Sequence, residues 1–99
     1  MAGKLLEFRP EAIAEYELAR DWYFNQSERV ASKLWEEVTN AVNKIVAAPQ
    51  RYPTHIRGTR RLLVQKFPFA VIYRESPVSI LVVAVAHLSR RPAYSISRI

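Results

Sequence analysis

Apolar and polar positions along this chain change their period twice, and each change marks a change of element. Residues 4–8 (KLLEF) are a short strand-like stretch, after which Ala12, Ile13, Tyr16, Ala19 and Tyr23 recur on one face of a 3.6-residue period. Pro10 stands where a first helical turn tolerates a missing N–H, and Glu11, Glu15 and Glu17 crowd the early turns, where the helix dipole favours carboxylates. The spacing predicts a first helix ending near Asn25. Ser27 followed by Glu28 is a capping signal for a second helix, whose apolar positions Ala31, Leu34, Trp35, Val38, Ala41, Val42 and Ile45 run until Pro49. So short a break folds the two helices back as an antiparallel hairpin. Trp22 and Trp35 lie at helical core spacing and read as packing residues.

After an ordered loop, PQRYPTHIRG (49–58), the period drops to two. Three strands are expected, Thr59 to Phe67, Phe69 to Arg74 and Val78 to His87, separated by Pro68 and by the turn around Glu75-Ser76-Pro77. Connections this short make an antiparallel meander. The third strand is apolar on both parities, as an interior strand covered on two sides should be, and His87 shares the parity of Val85. The expected fold is therefore α+β, a single domain over residues 1–99, with an N-terminal strand and a helical hairpin packed on an antiparallel sheet that ends in the three-stranded meander.

Composition narrows what such a domain does. With no cysteine, disulfides, thiolate metal sites and cysteine nucleophiles are excluded, and a reducing cytoplasm is the expected location. The start is too short and too polar for a signal peptide, and the 78–86 run is too short to span a bilayer, so no membrane association is expected. Residues 1–50 carry six Lys/Arg against eight Asp/Glu, whereas residues 51–99 carry nine against one. The second half is a basic unit expected to meet something anionic, either nucleic acid or an acidic protein segment. No P-loop, nucleophile elbow, metal cluster or dinucleotide fingerprint is present in the sequence, and no cofactor and no metal are expected.

The chemistry-bearing residues gather in HLSRRPAYSISRI (87–99), just past the apolar strand. Guanidinium groups pair bidentately with phosphate oxygens, and imidazole titrates near neutral pH. Cutting a phosphodiester without a metal needs a base for the attacking hydroxyl, an acid for the leaving oxygen and positive charge on the phosphorane. His87 can serve as base or acid, Tyr94 as its partner, and Arg61, Arg90 and Arg91 as the clamp. A phenol acts as base only where neighbouring arginines lower its pKa, and here they are adjacent in sequence. Arg57, Arg60, Arg74 and Arg90 are candidates for a wider nucleic-acid or target-binding surface. Against these stand plainer readings: a strand-end histidine that closes the sheet, solvated arginines, and a Tyr94 packed on Tyr52 or Phe67.

Six sequence words carry a resemblance. They are Phe8-x-Pro10-x-Ala12, Ala31-x-x-Leu34-Trp35, Pro49-x-x-Tyr52-Pro53, Gly58-x-x-Arg61, Phe67-Pro68-Phe69-x-Val71-Ile72-Tyr73-Arg74, and Val85-Ala86-His87-x-x-Arg90-Arg91-Pro92-x-Tyr94. In these words and in its element order the chain resembles the RelE/ParE superfamily of toxins from bacterial type II toxin–antitoxin (plasmid stabilisation) systems. The resemblance implies a growth-arresting toxin co-produced with an acidic antitoxin that wraps it. Two mechanisms share that fold: RelE-like members cut messenger RNA on the ribosome, and ParE-like members poison DNA gyrase without catalysis. Some RelE-like members use a glutamate as base, which this chain lacks beyond Glu75. A basic interaction module without toxicity is the remaining alternative.

Overall fold

The computed structural model describes residues 4–90, 94, 95 and 98. Strand β1 (Leu5–Phe8) leads through Arg9 into helix α1 (Pro10–Gln26), with Pro10 at its first position, where no hydrogen bond is lost. Ser27 alone separates α1 from α2 (Glu28–Ala47), and its backbone N–H closes the first helix on the Tyr23 carbonyl. Its side chain accepts the Val30 N–H at 3.4 Å, so one residue ends one helix and caps the next. A single 3-10 turn (Ile56–Gly58) precedes β2 (Arg60–Leu63), β3 (Phe69–Glu75) and β4 (Ser79–His87).

The sheet order is β1-β4-β3-β2. The C-terminal meander is antiparallel as expected, but β1 pairs with β4 in parallel, from Leu5 opposite Ser79 to Phe8 opposite Val82, so the sheet is mixed. The long crossover through both helices makes that direction accessible, because a parallel neighbour needs an intervening element of a dozen or more residues. Strand β2 is shorter than the expected 59–67. Val64 donates to the Phe69 carbonyl to close a turn, Lys66 takes a left-handed φ of 68°, and Pro68 has no N–H to give a ladder.

Both helices lie on one face of the sheet. Ala12, Leu34, Val38, Ala41 and Ile45 meet Val71, Tyr73, Ile80, Val82 and Val85 there. The opposite face, called the far face below, carries a smaller cluster of Ile72, Val83, Ala84 and Ala86, partly covered by Leu81 and Tyr94. β4 feeds both layers because of a bulge. Tyr73 pairs with Val82 and Ile72 with Ala84, so Val83 has no partner on β3 and the alternation resets. Ile80 and Val82 before the bulge, and Val85 after it, therefore all face the helices.

Helix α1 keeps its expected face at Ala12, Tyr16, Ala19 and Tyr23 and departs from expectation at Ile13 and Trp22. Ala12 is buried and Tyr16, Ala19 and Tyr23 are half-buried, but Ile13 is 46% exposed, Leu18 73% and Trp22 59%. Trp35 on α2 is likewise 58% exposed, its ring edge-on to Tyr16 at 5.7 Å between centroids. The two tryptophans are thus rim residues. The two inner helix faces and the sheet fill with smaller side chains, and indoles find room only at the edge. Among the described residues no helix is long and apolar enough to cross a membrane.

Candidate functional site

β1 stops opposite Val82, so the same edge of β4 from Val83 onward has no neighbouring strand. Glu15 of α1 reaches over that edge. Its Oε1 accepts the Val85 N–H at 3.1 Å and the Arg98 guanidinium at 2.8 Å, and its Oε2 accepts the Tyr94 hydroxyl at 2.8 Å. Arg98 also approaches the Val83 carbonyl at 3.5 Å. One carboxylate thereby ties α1, the open strand edge and two residues of the C-terminal segment together. Charge-assisted bonds of this kind are short and strong when shielded from water, and the Glu15 and Arg98 side chains are only 18% and 16% exposed.

This arrangement reverses the electrostatics expected for Tyr94. The Arg90 and Arg98 guanidiniums do lie over its ring, at 5.4 and 5.0 Å from the centroid, and they do favour phenolate. Burial and the hydrogen bond to the Glu15 carboxylate outweigh them and push the phenol pKa well above its usual value. Tyr94 is a held donor, not an activated base. It packs on the far-face cluster, away from Tyr52 and Phe67, which belong to the helix-side core. Burial works against the charge of Arg98, but the hydrogen bond to Glu15 and the nearby negative charges of Glu15 and Glu11 together outweigh it and keep the guanidinium more firmly protonated than usual.

His87 stands exposed at the end of β4, its ring edge-on to Phe69 with centroids 5.2 Å apart. The Ser89 backbone N–H donates to its Nδ1 at 3.1 Å, and the Ser89 hydroxyl lies 2.8 Å from the same atom. An Nδ1 that accepts places the proton of the neutral ring on Nε2, which leaves that nitrogen without a free lone pair for a substrate proton. His87 borders two hollows. One, of about 380 Å³, lies on the helix side among Leu18, Trp22, Tyr23 and Phe69. The other, of about 200 Å³, lies on the far face.

The far-face hollow brings together Arg61, Arg90 and Tyr94 from the expected set, together with His55. Arg61 pairs with Ile72 across β2 and β3, which places it on that face by register, and Arg74, opposite Leu81, shares the face further along. Arg60 is one residue out of phase, opposite Tyr73, and its guanidinium donates to the Tyr52 carbonyl at 2.7 Å. Arg57 sits in the 3-10 turn with a left-handed φ of 51°, off the sheet. Arg91 lies outside the described residues. Among the described residues no cluster of three or more His, Asp or Glu has the makings of a metal site.

Glu15, Arg98 and His55 were absent from the expected set. Glu15 had a readable signal, since it lies three residues after buried Ala12 and four before half-buried Ala19, and so borders the inward stripe of α1. A carboxylate there needs a cationic or N–H partner, and the chain beyond residue 50 holds almost only cations.

Comparison with known proteins agrees with this fold. A family model described as "ParE toxin of type II toxin-antitoxin system, parDE" matches residues 6–92. Among solved structures the chain is similar to one titled "Chromosomal ParDE TA system from P. aeruginosa", with a TM-score of 0.75 and 18% sequence identity, over 85% of this chain and 95% of that one. At that identity the likeness is one of fold. No curated protein matches the chain.

Proposed function

From the premise that this chain belongs to the ParE toxin family of type II toxin–antitoxin systems, we propose that it arrests growth by binding DNA gyrase and not by cutting messenger RNA. Membership makes a co-produced antitoxin its partner, and the excess of cations beyond residue 50 suits an acidic one.

The observation that carries this reading is the bond from the Tyr94 hydroxyl to Glu15. RNA cleavage without a metal requires a group ready to take a proton and another ready to give one. Tyr94 is engaged by a carboxylate and holds its proton more tightly than a free phenol. His87 has its Nδ1 on Ser89. Neither group offers a free base, whereas a docking surface needs only shape and charge, which the far face supplies through Arg61, Arg74 and Arg90.

The test is a purified gyrase reaction on supercoiled plasmid, beside primer extension on messenger RNA from translating ribosomes. Cleaved gyrase–DNA complexes should accumulate with the wild-type chain and with Tyr94→Phe alike, and the messenger should stay intact. Intact gyrase turnover at doses that stop growth, together with messenger cuts lost in Tyr94→Phe, would overturn the proposal and restore the catalytic alternative.

A further inference from the structure

We propose that the far face of the sheet is a nucleic-acid surface and that its hollow seats one backbone phosphate of duplex DNA between Arg61 and Arg90. The choice of DNA over RNA rests on the gyrase reading; the phosphate seat itself does not.

The hollow has the composition of an anion site. Its volume of about 200 Å³ is several times the ~30 Å³ a liquid water occupies, so a phosphate fits with some of its hydration retained. Ala70, Ile72 and Ala86 form a low floor, and no carboxylate is among the residues that line it. Glu75, the one acid of the second half, is held by Lys4, and both oxygens of Glu15 already accept hydrogen bonds. Among the described residues Arg61, Arg74 and Arg90 make no ion pair, so their field is uncompensated. Stacking on the Tyr94 ring holds the Arg90 guanidinium at the hollow, which lessens the cost of orienting it.

His55 adds an independent sign. Its Nε2 is shielded from water and has no hydrogen-bond partner, an unusual state for a buried polar atom. His55 is itself one of the residues lining the hollow, and a phosphate oxygen seated there is a partner of the kind this nitrogen lacks. Arg74 presents a further guanidinium on the same face, two residues along β3 from Ile72, the partner of Arg61.

The experiment is fluorescence anisotropy of a labelled duplex with the full-length chain over a series of salt concentrations. Binding should tighten as salt falls. Arg61→Ala and Arg90→Ala should each weaken it roughly five- to tenfold and lower the log–log salt slope by about one, the signature of a lost phosphate contact. Arg29→Ala, which removes an equal charge from exposed α2, should change little, and thermal melting should confirm that all three variants fold. No duplex binding at low salt, an equal loss in Arg29→Ala, or tighter binding of single-stranded RNA than of duplex would overturn the inference. Gyrase poisoning measured on the same preparations separates the two readings. DNA binding without poisoning sinks only the gyrase reading, and poisoning without DNA binding sinks only this one.

Discussion

Tyr94 and Glu15, 79 positions apart in the chain, are joined by a 2.8 Å hydrogen bond across the open edge of β4. The bond places a helix carboxylate and a C-terminal phenol on one strand edge. Because the same carboxylate also receives Val85 and Arg98, its loss should be felt at three partners at once.

Glu15→Ala should therefore destabilise the fold by about 2–3 kcal/mol, since it leaves a largely buried guanidinium and a strand N–H unpaired. For a chain of this size that is a fall in Tm of roughly 10 °C or more. Glu15→Gln keeps an acceptor for Val85 and should fall by less than half as much. Thermal melting followed by circular dichroism ranks the two.

Tyr94→Phe removes a donor but keeps the ring under both guanidiniums. The expected cost is about 1 kcal/mol of stability with growth arrest retained. Induced expression followed by colony counts measures the second half of that statement, and loss of toxicity in a variant that still folds would contradict it.

At alkaline pH the tyrosines should ionise out of step. Burial pushes the phenol of Tyr73, which donates to the Pro49 carbonyl, up to about 12, and Tyr94 and Tyr16 are raised as well. A folded-state pKa above the unfolded value of about 10 stabilises the fold fully below pH ~10, and that contribution is lost as pH rises through the folded value. Ultraviolet titration should show part of the phenolate signal delayed until the chain unfolds.

At acid pH the relevant pair is Lys4 with Glu75, which joins the start of the chain to the β3–β4 turn. The hydrogen bond from Lys4 holds the Glu75 carboxyl below its ordinary pKa. A lowered carboxyl stabilises the fold above its unfolded value, near 4.5, and the contribution disappears as pH falls through the folded one. Lys4→Met should flatten that part of the stability–pH curve while changing neutral-pH stability by less than about 1 kcal/mol, as befits a partly exposed pair. Denaturant melts at several acid pH values check this.

The bulge at Val83 is also testable. Deleting Val83 removes the bulge and leaves every other β3–β4 pair and all β1–β4 pairs in place, with Val82, Val85 and His87 still on the helix side. The expected result is a chain that still melts cooperatively in the same register with some loss of far-face packing, and Val83→Ala, which keeps the bulge, costs about 1–3 kcal/mol.

Much of this was legible in one dimension. Ser27 between two 3.6-period segments and Pro10 at a first turn locate the helices to within a residue, because caps and proline act on local backbone geometry. The apolar stretch 78–86 reads as a doubly covered strand for the same reason. The two indoles were misplaced because periodicity reports which way a position faces, not whether the neighbouring element extends far enough to cover it. Arg60 and Arg61 are equivalent as letters, and only the register of β2 on β3 sends one to the Tyr52 carbonyl and the other to the basic face.

Local order, fold class and family thus follow from the sequence alone, since each depends on neighbours a few residues apart or on words short enough to read. The parallel placement of β1, the reset of alternation at Val83 and the capture of Tyr94 by Glu15 were decided by tertiary structure. Each is a contact between segments distant in the chain. A phenol's willingness to give up its proton is set by what surrounds it in space, and here a carboxylate from the first helix outweighs the arginines beside it.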